Sequence, residues 1–333
     1  MLLYCRICKI VLFLIYSSAM NNLVVGVDLG ASKIALSLVS PANELVASRR
    51  FATEAQLGPI SALTRIAQAI TQMTTEAQVD IGAVGVCSPG PVDHVAGLIL
   101  DPPNLPGWRN VLFRQMLAEK LSVPVALEHD GKAAALGEFY FGVGRERGAS
   151  DLAYIIVGTG VGAAFILDGQ LYRGRTNSAG EVGHITLNRL GAPGSAGVPG
   201  CVESFMSGPA LVQHYAQRAG AASANEVSSG ADVVRRATQG DTHALAVMND
   251  AGDALGAAIA TMAMLMDVDL YVIGGSVAKA GDVLLEPARK ALTKYAFQSV
   301  ASRITVVATR LHEAGAILGC AWQARQLLLT SDE

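Results

Sequence analysis

The 333-residue chain is predicted to be an α/β protein of two lobes, each a mixed sheet flanked by helices. Three observations lead there. At roughly 150 residues per domain, the length suits about two domains or one large α/β unit. Strand-like apolar runs alternate with helical stretches along the chain, an order that builds mixed sheets covered by helices. A strand, glycine turn, strand pattern near residue 25 recurs near residue 155, as if each half opened with the same hairpin. A ligand site is expected in a cleft between two such lobes.

The elements follow in order. Leu23 to Leu29 and Ile34 to Val39 are apolar runs separated only by Gly30-Ala31-Ser32-Lys33, and a third run lies around Glu44 to Arg50; together they read as a β-meander with a glycine turn. Helical periodicity runs from Pro59 to about Glu76. Ile81 to Cys87 reads as a buried strand, Ser88 to Trp108 as a Pro/Gly-rich loop, and Val111 to Leu121 as a helix. Strand Val125 to Glu128 runs directly into an Ala-rich helix, Lys132 to Phe139. After a polar break, Gly142 to Asp151, the second hairpin is Leu152 to Val157, a glycine turn, and Ala163 to Leu167. The chain closes with a long helix Thr242 to Leu265, strand Leu270 to Ile273, turn Gly274-Gly275-Ser276, helix Val283 to Tyr295, strand Ile304 to Ala308 and helix Ala314 to Leu328. The expected division is a small lobe of residues 20–127 plus 315–333 and a large lobe of 128–314.

Composition narrows the function. Apolar residues make up 51% and charged residues 16% of the chain, against a usual charged share of about 25%, which excludes intrinsic disorder. A formal net charge of −3 provides no electrostatic footprint for nucleic acid or an anionic membrane, so the expected partner is a small molecule. The five cysteines are odd in number and scattered, which suits a reduced, cytoplasmic protein. Cys5-x-x-Cys8 lacks a second pair at zinc-finger spacing. Arg6 and Lys9, the short apolar run Ile10 to Tyr16, and Ser17-Ser18-Ala19 imitate a signal peptide; the run is too short to span a bilayer. The favoured reading is an upstream start codon, with Met20 the functional start and residues 1–19 an extension.

Glycine is in excess, with 35 residues, and three glycine turns follow apolar strands: Asp28-Leu29-Gly30-Ala31-Ser32-Lys33, Gly158-Thr159-Gly160-Val161-Gly162, and Gly274-Gly275-Ser276. Backbone N–H groups in such turns can cradle an anion, so three of them point to a nucleotide. No Gly-x-x-x-x-Gly-Lys-Ser/Thr occurs, which excludes a P-loop. Gly158, Gly160 and Ala163 formally match a dinucleotide fingerprint, but a strand follows where that fold needs a helix, leaving a Rossmann oxidoreductase the weaker alternative.

These residues resemble the ROK family of sugar kinases and repressors, within the actin/hexokinase/heat-shock ATPase superfamily. The resemblance covers about Leu23 to Leu328. It is carried by the Asp28 to Lys33 turn (Ser32 standing where the family usually has Thr), Asn104-Leu105-Pro106-Gly107-Trp108, Glu128-His129-Asp130 before Ala133 to Glu138, Gly180-Glu181-Val182-Gly183-His184, Gly197 to Glu203, and Gly274-Gly275-Ser276. It implies two actin-like (ribonuclease H-like) lobes, a homodimer, and ATP-dependent phosphorylation of a hexose hydroxyl, on glucose or an N-acyl hexosamine such as N-acetylmannosamine. It further implies that Asp130 is the general base and that Asp28 holds Mg²⁺ through water. Gly30, Ser32, Lys33, Gly158, Thr159, Gly160 and Gly162 would hold the ATP phosphates, with Gly274 and Gly275 against the adenosine. Asn104, His129, Glu181, His184 and Glu203 would bind the sugar. Simpler readings stand beside these: Asp130 as a helix N-cap, Lys33 as a solvated hairpin charge, His184 as a satisfied core histidine, Glu181 and Glu203 as surface residues. A sugar-sensing regulator without its DNA-binding domain is the alternative within the family; fewer than about 25 residues precede the first strand, too few for a helix-turn-helix.

Two departures stand out. Many ROK proteins hold a structural zinc through the His of Glu-x-Gly-His and three cysteines of Cys-x-Cys-Gly-x-x-Gly-Cys. Here His184 and Cys201 remain, but Gly194 and Ala196 occupy the other two positions. Two ligands cannot fill a tetrahedral site, so zinc is predicted absent and Cys201 to serve in packing. The family's usual Asn before the base is His129, which divides donor and acceptor between two ring nitrogens.

Overall fold

The computed structural model describes residues 22–224 and 227–330, so the expectations for residues 1–19 and for Cys5 and Cys8 lie outside the described residues. The chain forms two compact units: the described residues up to Phe141 together with those from Glu313 onward, and Gly142–His312.

In the first unit, β1 (Leu23–Leu29), β2 (Lys33–Val39), β3 (Leu45–Ala52), β4 (Ile81–Ser88) and β7 (Val125–His129) form one sheet in the order β3-β2-β1-β4-β7. The meander strands pair antiparallel, whereas β1, β4 and β7 are parallel. Alternation along β1 sends Val25, Val27 and Leu29 into a core with Leu63, Ile66 and Ile70 of helix Gly58–Ala77. Gly26 and Asp28 take the opposite face. There helix Ala314–Thr330 lies so close that a Cβ on Gly26 would be 2.1 Å from the Ile317 carbonyl oxygen, and one on Gly85 1.9 Å from that of Cys320. The Pro/Gly-rich stretch contains a small hairpin, β5 (Val92–Asp93) with β6 (Leu98–Ile99), and is anchored by Leu105 and Trp108, both fully buried.

The expected division after residue 127 differs from the observed one. β7 pairs with β4 out to Ser88 and His129, and helix Asp130–Phe141 lies along helix Ala314–Thr330 at backbone contact. A Cβ on Gly137 would be 2.0 Å from the Gly315 carbonyl oxygen, and one on Gly319 1.8 Å from that of Ala133. Asp130 therefore belongs to the first unit.

The second unit repeats the sheet order. β8 (Leu152–Val157), β9 (Val161–Leu167), β10 (Gln170–Tyr172), β11 (Leu270–Gly274) and β12 (Thr305–Ala308) run β10-β9-β8-β11-β12, with β8, β11 and β12 parallel. Val247, Met248, Leu255 and Ile259 of helix Thr242–Met266 bury one face with Leu284 and Leu292 of helix Asp282–Tyr295. Asp241 caps the long helix by accepting from the Ala244 N–H at 3.0 Å. Three further helices, Glu203–Met206, Gly208–Ala224 (broken at Gly220) and Gly230–Thr238, lie between the Gly180–His184 segment and the long helix. The third begins with a reciprocal Ser229 and Asp232 capping box, a signal legible in the sequence. Among the described residues, no helix is long and apolar enough to cross a membrane.

Candidate active site

The parallel strands of the first unit end on one edge, and in open α/β sheets that edge is where ligand sites form. Asp28 stands near the end of β1, and β7 ends in His129 with Asp130 opening the helix that follows. Only β4 lies between them. Burial and the negative charge of Asp130 push the Asp28 carboxyl up from the usual 3.8 to about 6, against the opposing pull of the Cys87 thiol and Lys33. Cys87, in register with Asp28 on β4, donates from Sγ to its Oδ1 at 3.6 Å.

The Asp130 carboxylate accepts from the Gly131 N–H at 2.6 Å, as a residue opening a helix can, and remains partly exposed, with 36% of its side chain accessible. This bond reaches only the next residue, not the second or third helical N–H that an N-cap side chain takes, and the carboxylate stays available. His129 Nδ1 also accepts from that N–H, at 3.2 Å, and lies 3.2 Å from Asp130 Oδ1. Its ring covers Gly90, where a Cβ would meet Cδ2 at 2.5 Å. The preceding Glu128 is fully buried and accepts from the His129 N–H at 2.9 Å and Gln323 Nε2 at 3.2 Å, tying this strand end to the last helix. Asn104 is exposed on the turn that Leu105 and Trp108 anchor.

The first glycine turn is closed by the Gly30 N–H donating to the Lys33 carbonyl at 2.9 Å, and buttressed by Thr53, whose Oγ1 donates to the Gly30 carbonyl at 2.7 Å. Ser32 is exposed at its tip. Lys33 is not a free solvated charge: Nζ pairs with Glu313 at 3.1 Å, a partner 280 residues away that no local pattern announces.

In the second unit the other two glycine turns lie side by side, because β8 and β11 are parallel neighbours with Ile156 opposite Gly274. The turn after β8 is tighter than expected. Gly158 N–H donates to the Gly160 carbonyl at 2.9 Å, Thr159 and Gly160 are exposed, and Gly162 already sits in β9 opposite Ile156. Gly275 has φ +90° and a Cβ there would be 2.3 Å from the Val157 carbonyl oxygen, so both conformation and closeness demand glycine.

The Gly180 to His184 segment is pressed on β9: a Cβ on Gly180 would be 1.9 Å from the Ala163 carbonyl oxygen and one on Gly183 2.1 Å from that of Val161. This leaves Glu181 exposed and His184 half-buried, its Nδ1 buried with no hydrogen-bond partner. Glu203 is not a surface residue. Its carboxylate, 7% exposed, accepts from the Val161 N–H at 3.0 Å through Oε2 and from Ser195 Oγ through Oε1. Cys201 is fully buried in the loop that lacks the other cysteines. Among the described residues, no group of three or more His, Cys, Asp or Glu side chains is arranged to hold a metal ion.

Each unit therefore presents glycine turns at the ends of parallel strands beside acidic side chains, and the sequence profile of the ROK family matches residues 24–327. The chain belongs to the ROK family. A glucokinase of Halalkalibacterium halodurans is 32% identical over 316 residues, covering 91% of this chain and 94% of that protein. A putative xylose repressor of a Caldicellulosiruptor species is 30% identical over 314 residues, covering 90% and 77%. The crystal structure of a ROK family glucokinase from Streptomyces griseus in complex with glucose and AMPPNP matches with a TM-score of 0.77 at 30% identity, covering 91% of this chain and 99% of that one. The α/β architecture of mixed sheets flanked by helices is accordingly the actin-like fold of ROK proteins. Cys87, Glu313 and Ser195 are the site neighbours that sequence reasoning missed; each acts through a residue far from it along the chain or across a loop.

Proposed function

We propose that this ROK protein is an ATP-dependent hexose kinase with Asp130 as general base. The observation that carries the reading is the pairing of Asp28 and Asp130 at the ends of parallel strands in the first unit, with the Asp130 carboxylate still accessible. Phosphoryl transfer demands little covalent chemistry from a protein. It needs an aligned acceptor oxygen, a group to take its proton and positive charge on the phosphates.

Asp130, held on a strand-to-helix junction, accepts in this reading the proton of a sugar hydroxyl as that oxygen attacks the γ-phosphorus. Transfer leaves ADP and a hexose phosphate. The Gly30 turn, the Gly158–Gly162 turn with its Gly160 N–H, and the Lys33 ammonium face the phosphates in this reading, the Gly30 and Gly158 N–H groups closing their own turns. Ser32 and Thr159 add hydroxyls, and the crowded Gly274 and Gly275 backbone faces the adenosine. Asn104, His129, Glu181, His184 and Glu203 supply the donors and acceptors that pair sugar hydroxyls.

The residues fit Mg²⁺. Asp28 is a carboxylate whose charge burial and Asp130 both oppose, so a cation beside it relieves a real electrostatic cost, and magnesium uses one or two carboxylates with waters rather than a protein cage. When bound, it supplies neutralising charge to the phosphates.

The kinase reading is favoured over a sugar-sensing one because a sensor needs the sugar groups alone, whereas this chain also retains Asp28, Asp130 and three glycine turns. Cytoplasmic placement and homodimerisation belong to the same proposal. A panel of hexoses and N-acyl hexosamines with Mg-ATP, followed by ADP release, tests it. Asp130→Asn should keep hexose binding and lower kcat by at least about a thousandfold. Near-normal turnover in that variant, or no ADP release with any sugar, refutes the proposal.

A further inference from the structure

We propose that Ser195 is a positioning residue for hexose recognition, acting through Glu203; this rests on the reading of Glu203 as a sugar ligand. Glu203 opens a short helix with its carboxylate buried, and the two carboxylate oxygens are engaged by two different elements. Oε2 takes the Val161 N–H at the start of β9, directly after the glycine turn, and a Cβ on Gly160 would be 2.8 Å from it. Oε1 takes the Ser195 hydroxyl. One anchor leaves a carboxylate free to swing about its Cγ–Cδ bond. Two set its plane and therefore the direction of the lone pairs left for a sugar hydroxyl.

The loop that brings Ser195 there is an exposed hairpin with few side chains to hold it. Gly194 N–H donates to the Val198 carbonyl at 3.0 Å, Gly197 N–H to that of Gly194 at 3.0 Å, and Gly200 N–H to that of Ala192 at 2.8 Å. A Cβ on Gly194 would be 2.4 Å from Cys201 Sγ, so its absence lets the hairpin lie on the buried thiol and swing Ser195 toward Glu203. The flanking Gly194 and Ala196 have no polar side chain, which leaves the Ser195 hydroxyl to clasp the loop to the carboxylate. The same contact ties the hairpin to the Gly158–Gly160 turn through Glu203 and Val161.

The test uses the full-length protein with Ser195→Ala and Ser195→Thr, varying the hexose that the unsubstituted protein phosphorylates best at saturating Mg-ATP, then the reverse. A hydrogen bond to a charged group is worth on the order of a tenfold affinity change. Ser195→Ala should raise the hexose KM about tenfold, with kcat and the ATP KM within about twofold of the original. Ser195→Thr, which keeps the hydroxyl, should restore it. A hexose KM within about twofold in Ser195→Ala overturns the proposal, as does a threonine variant no better than alanine. Amide hydrogen exchange supplies an arm that needs no activity. Ser195→Ala should speed exchange over Gly191–Cys201, and unchanged exchange overturns the clasp. Absence of phosphorylation in the unsubstituted protein would instead defeat the kinase reading and leave the exchange measurement to decide on Ser195.

Discussion

Replacing Asp28 with Asn removes a charge that folding places at a disadvantage, and the size of the effect follows from the raised pKa. The carboxyl titrates at about 6 in the folded chain against the usual 3.8, pushed up first by burial and then by Asp130. A gap of about 2.2 units at about 1.36 kcal/mol each is about 3 kcal/mol. Because the folded value is raised, this group's stabilising contribution is fully present below pH 3.8 and is lost as pH rises through about 6. Above that, folded and unfolded chains both carry the charge, and the folded one bears its cost. Asp28→Asn should therefore gain on the original protein by up to about 3 kcal/mol between pH 4 and 8. Subtracting the two proteins cancels the titration of most other groups. The assay is urea denaturation of both at several pH values, in chelator and without nucleotide. A difference that stays constant with pH, or that moves against the Asn variant as pH rises, would refute the electrostatic reasoning. Added magnesium should stabilise the original protein at pH 8 and leave Asp28→Asn unmoved.

Gly85→Ala should destabilise the first unit by about 3 kcal/mol or more, read by denaturant midpoint, since the added methyl meets the Cys320 carbonyl oxygen at 1.9 Å and neither backbone can yield cheaply. Protein purified without added metal should contain far less than one zinc per chain by elemental analysis; stoichiometric zinc would contradict the two-ligand argument. His129→Asn should change the ratio of glucose to N-acetylmannosamine kcat/KM by roughly tenfold, because an amide places a donor and an acceptor where the imidazole offers Nδ1 to Gly131; an unchanged ratio removes His129 from sugar selection.

Much of the fold was legible from local chemistry. Apolar runs bounded by turns located β1, β2, β4, β8 and β11, and the recurrence of a hairpin pointed to two related halves, whose shared strand order only the structure shows. The junction of an apolar strand with an Ala-rich helix at Asp130 is legible from neighbouring residues alone. Less legible is the stretch from Glu203 to Asp241, whose first helix is short and second is broken at Gly220, apart from the Ser229 and Asp232 capping box that opens the third. The lobe boundary was misplaced because helix Asp130–Phe141 reads as a new beginning, whereas glycine contacts with Gly315 and Ala133 fasten it to the last helix.

The sequence by itself determined the turns, the strand ends and the residue types able to bind phosphate and sugar, since each is encoded within a few neighbouring positions. Only the tertiary structure decided which of those residues meet. Parallel pairing of β1, β4 and β7 brings Asp28 toward Asp130, and the turn just before the last helix delivers Glu313 to Lys33 across 280 residues. A bare hairpin delivers Ser195 to Glu203. These contacts depend on which edges pair and which backbones touch, and the free energy of that choice is spread over the whole core rather than written beside the residues it unites.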